Sequence, residues 1–423
     1  MLQPALLLVA MTAVFVAAAL GLRWPVGFSL MLGAVAGTLL AGEGVPVRHL
    51  VEGSFGFLDI TLMIGSAMIF MKVLQRNGLL ETLGRQIIDG LGDRPALLLV
   101  ALALFIMFPG MITGSSSACV FTTGAIAAPV LLALGIPAEQ TAAIIAVGAV
   151  LGMIAPPVNI PAMIIGGGVD MPYVGFGLPL LVLTVPLAMG LVLMLGRRFV
   201  RDRAAIAPDR LPASHYARFG ARLYLPLVVV GVLMFGPKVT PRLPDLGLPL
   251  IFLLGAATGL VIGLPIHPLR VAKEAVHEAL PVMGILMGVG MFIQVMTLTG
   301  ARGAFVVAAL VLPAALLFVA TAVAIPLFGA VSAFGSASVL GVPIFLALLG
   351  RNGIVVGSAL SLVASLGDLM PPTALAGIFA SQVVGLPGYF GTLRRCLIPA
   401  VIIDLVGIGA LVWANPLARL LGL

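Results

Sequence analysis

The chain has 423 residues, 61% of them hydrophobic and only 9% charged, with a mean hydropathy of +1.24. No soluble domain can hide that much apolar surface, so the composition specifies an integral membrane protein and leaves no room for a sizeable soluble domain. Continuous apolar runs of about 20 residues require helices, because lipid offers no partner to an open strand edge; barrel strands, which alternate, are excluded by the same runs. The net charge of +7 sits on basic residues in short connections between apolar runs, a cytoplasmic-loop bias rather than a nucleic-acid signal. No G-x-x-x-x-G-K-[ST] motif occurs, so ATP is not the direct energy source.

In chain order, residues 4–22 form the first predicted span; they lack the basic start of a cleaved signal peptide. Ordinary spans follow at 24–42 and 55–76, and residues 79–92 suit a short helix at the interface. Residues 95–168 fit no simple span and read as a re-entrant hairpin followed by a broken helix. A span at 172–196 leads into the Arg-rich segment 197–222. Spans at 223–237 and 247–265 come next, then a second interfacial helix at 268–280 and a span at 281–300. Residues 304–383 repeat the interrupted pattern, and 395–414 is the last span.

The two interrupted regions carry nearly the same motif 215 to 221 residues apart. The first copy has Gly114-Ser115-Ser116-Ser117-Ala118, then Gly152, then Pro156-Pro157; the second has Gly335-Ser336-Ala337-Ser338-Val339, then Gly367, then Pro371-Pro372. Proline removes an amide donor and clashes with the preceding turn, so each Pro-Pro step breaks its helix, and the adjacent glycine loosens the backbone. The first hairpin is predicted as helix 95–113, tip 114–117 and helix 118–134, with a broken helix over 138–168 unwound at 152–158. The second has its tip at 334–338, a return helix at 339–350 and a broken helix over 353–383. Phe70, Val73 and Gly78 also match Phe292, Val295 and Gly300 at an offset of 222. The domain reading is therefore N-terminal scaffold helices over 1–54, a first repeat over 55–196, a cytoplasmic loop with linking scaffold helices over 197–280, and a second repeat over 281–423.

Charge sets the orientation. With the Arg-rich segment in the cytoplasm and the spans alternating, 16 Lys and Arg fall inside and 6 outside. Hairpin one then enters from the cytoplasm and hairpin two from the opposite side, an inverted repeat. The predicted fold is an all-α polytopic membrane protein of the inverted-repeat transporter kind, with two re-entrant hairpins and two broken helices.

Helix ends at a hairpin tip leave backbone groups without partners. Hydroxyls of Ser115, Ser116 and Ser117, unwound carbonyls between Gly152 and Pro157, and Asn159 could together cage a small hard cation such as sodium. A second cage would use Gly335, Ser336, Ser338, Gly367, Asp368 and Thr373, beside Pro371 and Pro372. Helix N-termini at the breaks suit a carboxylate substrate. Glycine and serine also permit close helix packing, but two matched copies, each followed by Pro-Pro, favour a site. Asp368 is an acid beside a break, suited to ligate a cation or carry a proton; its counterpart is Met153. Asp404 lies inside the last span. Lys72 and Gln294 occupy matching positions, and Lys72 reads as a snorkelling side chain near the inner interface.

His49, His215, His267 and His277 are dispersed and suggest no zinc or iron site, and Cys119 and Cys396 read as buried unpaired thiols. No catalytic motif or carboxylate pair appears, so no enzyme activity and no cofactor is expected.

At the Gly-Ser-Ser tip, the following Gly-x-Pro at Gly135 and Pro137, and the Leu-Gly-x-x-x-Pro-Pro break at 151–157, the chain resembles the large membrane subunit of TRAP (tripartite ATP-independent periplasmic) transporters, DctM type. The resemblance covers almost the whole length. It implies an elevator mechanism and sodium ions as coupling ions. It also implies a separate four-span small membrane subunit, a periplasmic substrate-binding protein and a place in the bacterial inner membrane. The implied substrate is an organic anion such as a dicarboxylate or another carboxylate. The second tip departs from the pattern, with about seven residues fewer before its proline at 343. The alternative is a stand-alone ion-coupled anion carrier of the broader ion-transporter superfamily; a membrane enzyme or scaffold leaves the duplicated breaks without a purpose.

Overall fold

The computed structural model describes residues 4–200, 211–240 and 244–423. Arg201, Arg203 and Arg210 of the Arg-rich segment, and Arg242, lie outside the described residues, as does the Lys238 side chain. Among the described residues every regular element is helical, and eight helices of 18 residues or more are apolar enough to cross a bilayer. The protein is a polytopic, all-helical membrane protein.

The N-terminal helices are α1 (Pro4–Val16, extended by a π-helical turn to Gly21), α2 (Val26–Ala41) and α3 (Val47–Phe55). The predicted span 55–76 begins later, as α4 (Leu58–Arg76), because the chain turns at Gly56 and Phe57. Next come α5 (Leu79–Leu91), α6 (Pro95–Thr113), α7 (Ser116–Cys119) and α8 (Ala125–Ala133), the last two joined by a π-helical turn at Val120–Gly124. After α9 (Ala138–Ile154) and α10 (Ile160–Gly167), α11 (Gly177–Gly196) starts five residues later than predicted, because Pro172 and the left-handed Gly175 hold residues 168–176 in turns. Helices α12 (Tyr216–Phe219), α13 (Leu225–Val239) and α14 (Gly247–Val261) lead to α15 (Pro268–Leu298).

Helix α15 corrects one expectation. The stretch 268–280 is not a separate interfacial helix but the first part of a single helix of 31 residues. Its two acids find partners on α4: Arg76 pairs with Glu274 at 2.7 Å, and Lys72 pairs with Glu278. The crossed order of those pairs makes α4 and α15 antiparallel. Glycine permits the other contacts of α15. A Cβ on Gly288 would lie 2.2 Å from the Gly27 carbonyl oxygen of α2, and one on Gly290 would lie 2.0 Å from that of Gly53 in α3.

The remaining helices are α16 (Ala301–Val311), α17 (Ala314–Gly329), α18 (Ala333–Ser336), α19 (Val342–Ala347), α20 (Gly353–Ser365, prolonged by a 3₁₀ turn to Leu369), α21 (Leu375–Val384), α22 (Phe390–Val412) and α23 (Ala414–Leu420). The second hairpin therefore starts at Ala314, after a separate α16 that ends before Pro313. A π-helical turn at Ala337–Gly341 joins α18 to α19, as Val120–Gly124 joins α7 to α8.

Helices α9 and α20 form the centre. Every residue of α9 from Gln140 to Ile154, and of α20 from Val355 to Ser365, is buried. A helix apolar on all sides belongs inside a bundle, and α9 is enclosed by α6, α11, α21 and α22. The second arms cross over: α21 packs on the first hairpin, and α10 packs on the second. The two sequence repeats are thus interlocked at the breaks.

Candidate functional site

Tip one begins where α6 ends. Gly114 takes a left-handed conformation at φ +65°, and its amide donates to the Gly110 carbonyl at 2.7 Å. Ser115 caps the return helix, its Oγ accepting from the Ala118 amide at 3.3 Å and lying 2.9 Å from Ser117 Oγ. The Ser116 hydroxyl donates to Asp368 Oδ2. That contact joins tip one to the second broken helix across 252 residues of sequence, and Asp368 is buried at 7% exposure.

Break one is stapled to the same hairpin. After the cis Pro156-Pro157 peptide, the Val158 amide donates to the Met111 carbonyl at 3.1 Å. Asn159 caps α10, its Oδ1 accepting from the Ala162 amide at 2.9 Å. Its Nδ2 donates to the Ile154 carbonyl and to Ser361 Oγ, each at 2.8 Å. Asn159 thus holds the break closed and ties it to α20; its oxygen is committed to the cap. The Tyr173 hydroxyl is also buried near the Asn159 backbone, without a hydrogen bond of ordinary geometry.

Tip two lies elsewhere than predicted. The chain reverses at residues 330–332, and Ser332 is the cap, its Oγ accepting from the Gly335 amide at 3.0 Å. Residues 334–338, the predicted tip, already belong to the return helix, one turn further on. Ser336 and Ser338 donate back to the Ala333 and Gly335 carbonyls, both at 2.9 Å, so their hydroxyls face their own helix. With Ser332 as the cap, Pro109 matches Pro326, Ser115 matches Ser332 and Gly124 matches Gly341, all at an offset of 217. The connection to Pro343 is then three residues shorter than that to Pro129, not seven. The equal spacing of proline and serine in the two copies is the signal that locates Ser332.

Break two mirrors break one. Thr373 follows the cis Pro371-Pro372 peptide and binds the Ala330 carbonyl through its amide at 3.4 Å and its Oγ1 at 2.7 Å. Pro371 and Pro372 are exposed, whereas Pro156 is buried and Pro157 half-buried. The glycines before the breaks do not loosen them. Gly152 sits within α9, where a Cβ would lie 2.6 Å from the Met107 carbonyl oxygen, and one on Gly367 would lie 2.3 Å from that of Gly329. Both glycines allow helices to touch.

Sequence reasoning missed three contributors: Ser332, Ser361, and Glu278, the partner of Lys72. The Lys72 side chain is 12% exposed and is held by Glu278. Both line a cavity of about 410 Å³ whose other wall includes Ser117 of tip one. Its matching residue Gln294 lies by Glu52 of α3 instead. Asp404 is half-buried, and its Oδ1 has no hydrogen-bond partner among the described residues. Cys119 and Cys396 are buried free thiols. No group of three or more His, Cys, Asp or Glu that could hold a metal occurs among the described residues. The oxygen donors that fit a hard cation are the Asp368 carboxylate and the tip hydroxyls of Ser115, Ser116 and Ser117.

Two solved structures share this architecture. The Alcanivorax borkumensis YdaH transporter aligns with a TM-score of 0.63 at 17% identity, covering 97% of this chain and 98% of that one. Neisseria gonorrhoeae MtrF, described with a class of antimetabolite efflux pumps, aligns at 0.61 and 15% identity, covering 98% and 95%. At these identities the likeness is one of fold. No curated protein sequence matches the chain. The family described as "Tripartite ATP-independent periplasmic transporter, DctM component" matches residues 12–416, nearly the whole length. The chain belongs to that family, the large membrane component of TRAP transporters.

Proposed function

We propose that this subunit imports an organic anion, a dicarboxylate or another carboxylate, by secondary active transport coupled to sodium ions. A periplasmic binding protein delivers the substrate, and a separate four-span small subunit completes the transporter in the bacterial inner membrane. The observation that carries this reading is the hydrogen bond from Ser116 to Asp368, which couples the tip of one repeat to the break of the other. A cation held by Asp368 and the tip hydroxyls would bind both halves at once, so its occupancy would govern whether the hairpin and the broken helix stay together. Intramembrane acids at such junctions are ordinarily functional, and broken helices lining a cavity are the usual binding-site construction of secondary transporters.

In the proposed cycle the hairpins and broken helices move as one body against a scaffold of α1–α4 and α13–α15, an elevator between inverted repeats. The cavity between α4 and hairpin one lies on that boundary. The test is uptake into liposomes holding both membrane subunits, with the binding protein and labelled organic anions outside. The expected result is uptake that follows an inward sodium gradient and needs the binding protein. Uptake by this chain alone would indicate a stand-alone carrier, and no anion movement under any ion gradient would overturn the transport reading.

A further inference from the structure

A different cavity, also of about 410 Å³, opens between the ends of α4 and α15 that the distribution of Lys and Arg places in the cytoplasm. Its walls are Arg76 of α4, residues 264–266 of the turn before α15, and His267, Arg270 and Glu274. Arg76 Nη2 donates to Glu274 Oε2 at 2.7 Å, and Arg270 Nε donates to Oε1 of the same carboxylate at 3.3 Å. Two guanidiniums thus share one carboxylate, and the cluster keeps a positive charge. Each guanidinium has five N–H donors and uses one on Glu274, so both retain donors for a further anion. Arg270 also stands in the first turn of α15, which contains no acid and where the helix dipole disfavours a cation. Neither side chain is shut away: Arg76 is 53% exposed and Arg270 80%.

We propose that this cleft binds a phosphate group between Arg76 and Arg270, and that the headgroup of an anionic phospholipid supplies it. Planar guanidiniums grip phosphate oxygens in pairs. A cleft at the ends of membrane helices lies at headgroup level, where anionic lipids of the cytoplasmic leaflet gather beside basic residues. Val261 and Leu269, on either side of the turn, are exposed apolar residues that suit a hydrocarbon boundary better than water. The neighbouring cavity of about 480 Å³ shares Arg76 and Leu264 but is a poorer anion site. Its Lys72 is held by Glu278, and Glu81 adds a buried carboxyl oxygen without a hydrogen-bond partner. Helices α4 and α15 are scaffold helices, so a lipid held between them stays in place and carries no substrate. It fixes their ends in the headgroup layer, whatever the molecule transports.

The test titrates the detergent-solubilised full-length chain with phosphatidylglycerol or phosphatidylcholine, counts retained lipid by native mass spectrometry, and adds inorganic phosphate as competitor. Phosphatidylglycerol should bind more tightly than phosphatidylcholine by about tenfold or more, and inorganic phosphate at equal concentration should not displace it. Arg76→Gln combined with Arg270→Gln should weaken phosphatidylglycerol by about tenfold or more. Arg76→Lys combined with Arg270→Lys should restore it only in part, since an ammonium is a point charge. Arg270→Gln alone leaves the Arg76–Glu274 pair in place, and should weaken the lipid without lowering the melting temperature in phosphatidylcholine nanodiscs. Arg394→Gln, which removes an exposed cation from α22, should leave binding unchanged. Displacement by inorganic phosphate at equal concentration would make a soluble anion the occupant and overturn the lipid assignment. Wild-type affinity in the doubly neutralised variant, or an equal loss in Arg394→Gln, would overturn the site itself.

Discussion

Asn159 makes three hydrogen bonds from one buried side chain, and each satisfies a different piece of the break. Its oxygen replaces the helical acceptor that the Ala162 amide lacks at the start of α10; its nitrogen occupies the Ile154 carbonyl and reaches Ser361 in the other repeat. Losing an N-cap costs about 1 kcal/mol, and a buried carbonyl left without a donor costs about 1–3 kcal/mol more. Asn159→Ala should therefore lower the melting temperature of the detergent-solubilised chain clearly, and Asn159→Ser, which keeps a capping oxygen alone, should fall between. An alanine variant melting with the wild type would show that the break is held by other groups. Residue types announced the breaks well, because proline and glycine act locally. They did not announce Ser332, whose neighbours Val331 and Ala333 carry no glycine or hydroxyl signal. Ser336 lies one helical turn beyond it in a Gly-Ser pair, so the more conspicuous serine drew the alignment four residues too far.

Among the elements, α9 and α20 were legible as broken helices because apolar runs interrupted by Pro-Pro have few other solutions at membrane depth. Helix α15 was not, since its polar first third resembles an interfacial helix until the partners on α4 are known. The same holds for Lys72, whose ion pair with Glu278 joins residues 206 apart in sequence. Helix α5 was expected at the interface and contains an acid in a costly setting. Glu81 Oε2 is buried without a hydrogen-bond partner, and burial raises the carboxyl's pKa above the ordinary 4.5, offset in part by its own backbone amide and by His215 nearby. A carboxyl with a raised folded pKa favours folding while protonated. Its contribution is full below the ordinary value and is lost as pH rises through the raised one. Stability should thus decline with rising pH across that window, and Glu81→Gln should flatten the decline and raise the melting temperature at neutral pH. Parallel melting curves for the two proteins from acid to neutral pH would contradict this assignment.

Over the whole molecule the two repeats are interlocked rather than side by side. Each second arm lies on the other repeat's hairpin, and Ser116 to Asp368 and Asn159 to Ser361 are two of the polar bonds between the repeats. The sequence motif revealed the duplication but could not show which half-site meets which, because that pairing depends on contacts more than 200 residues apart. It also suggested a cage in each repeat, made unequal by Asp368 standing where the first repeat has Met153. In the structure Ser116 of tip one donates to Asp368 while Ser115 and Ser117 bond each other, and the hydroxyls of Ser336 and Ser338 turn into their own helix. The central claim is that this single junction holds the coupling cation. Its most direct test is the sodium titration of thermal stability for the purified full-length chain in nanodiscs, with potassium as the ionic control. The account predicts stabilisation by sodium alone, lost in Asp368→Asn and kept in Ser336→Ala. An Asp368→Asn protein with the wild-type sodium titration would contradict it.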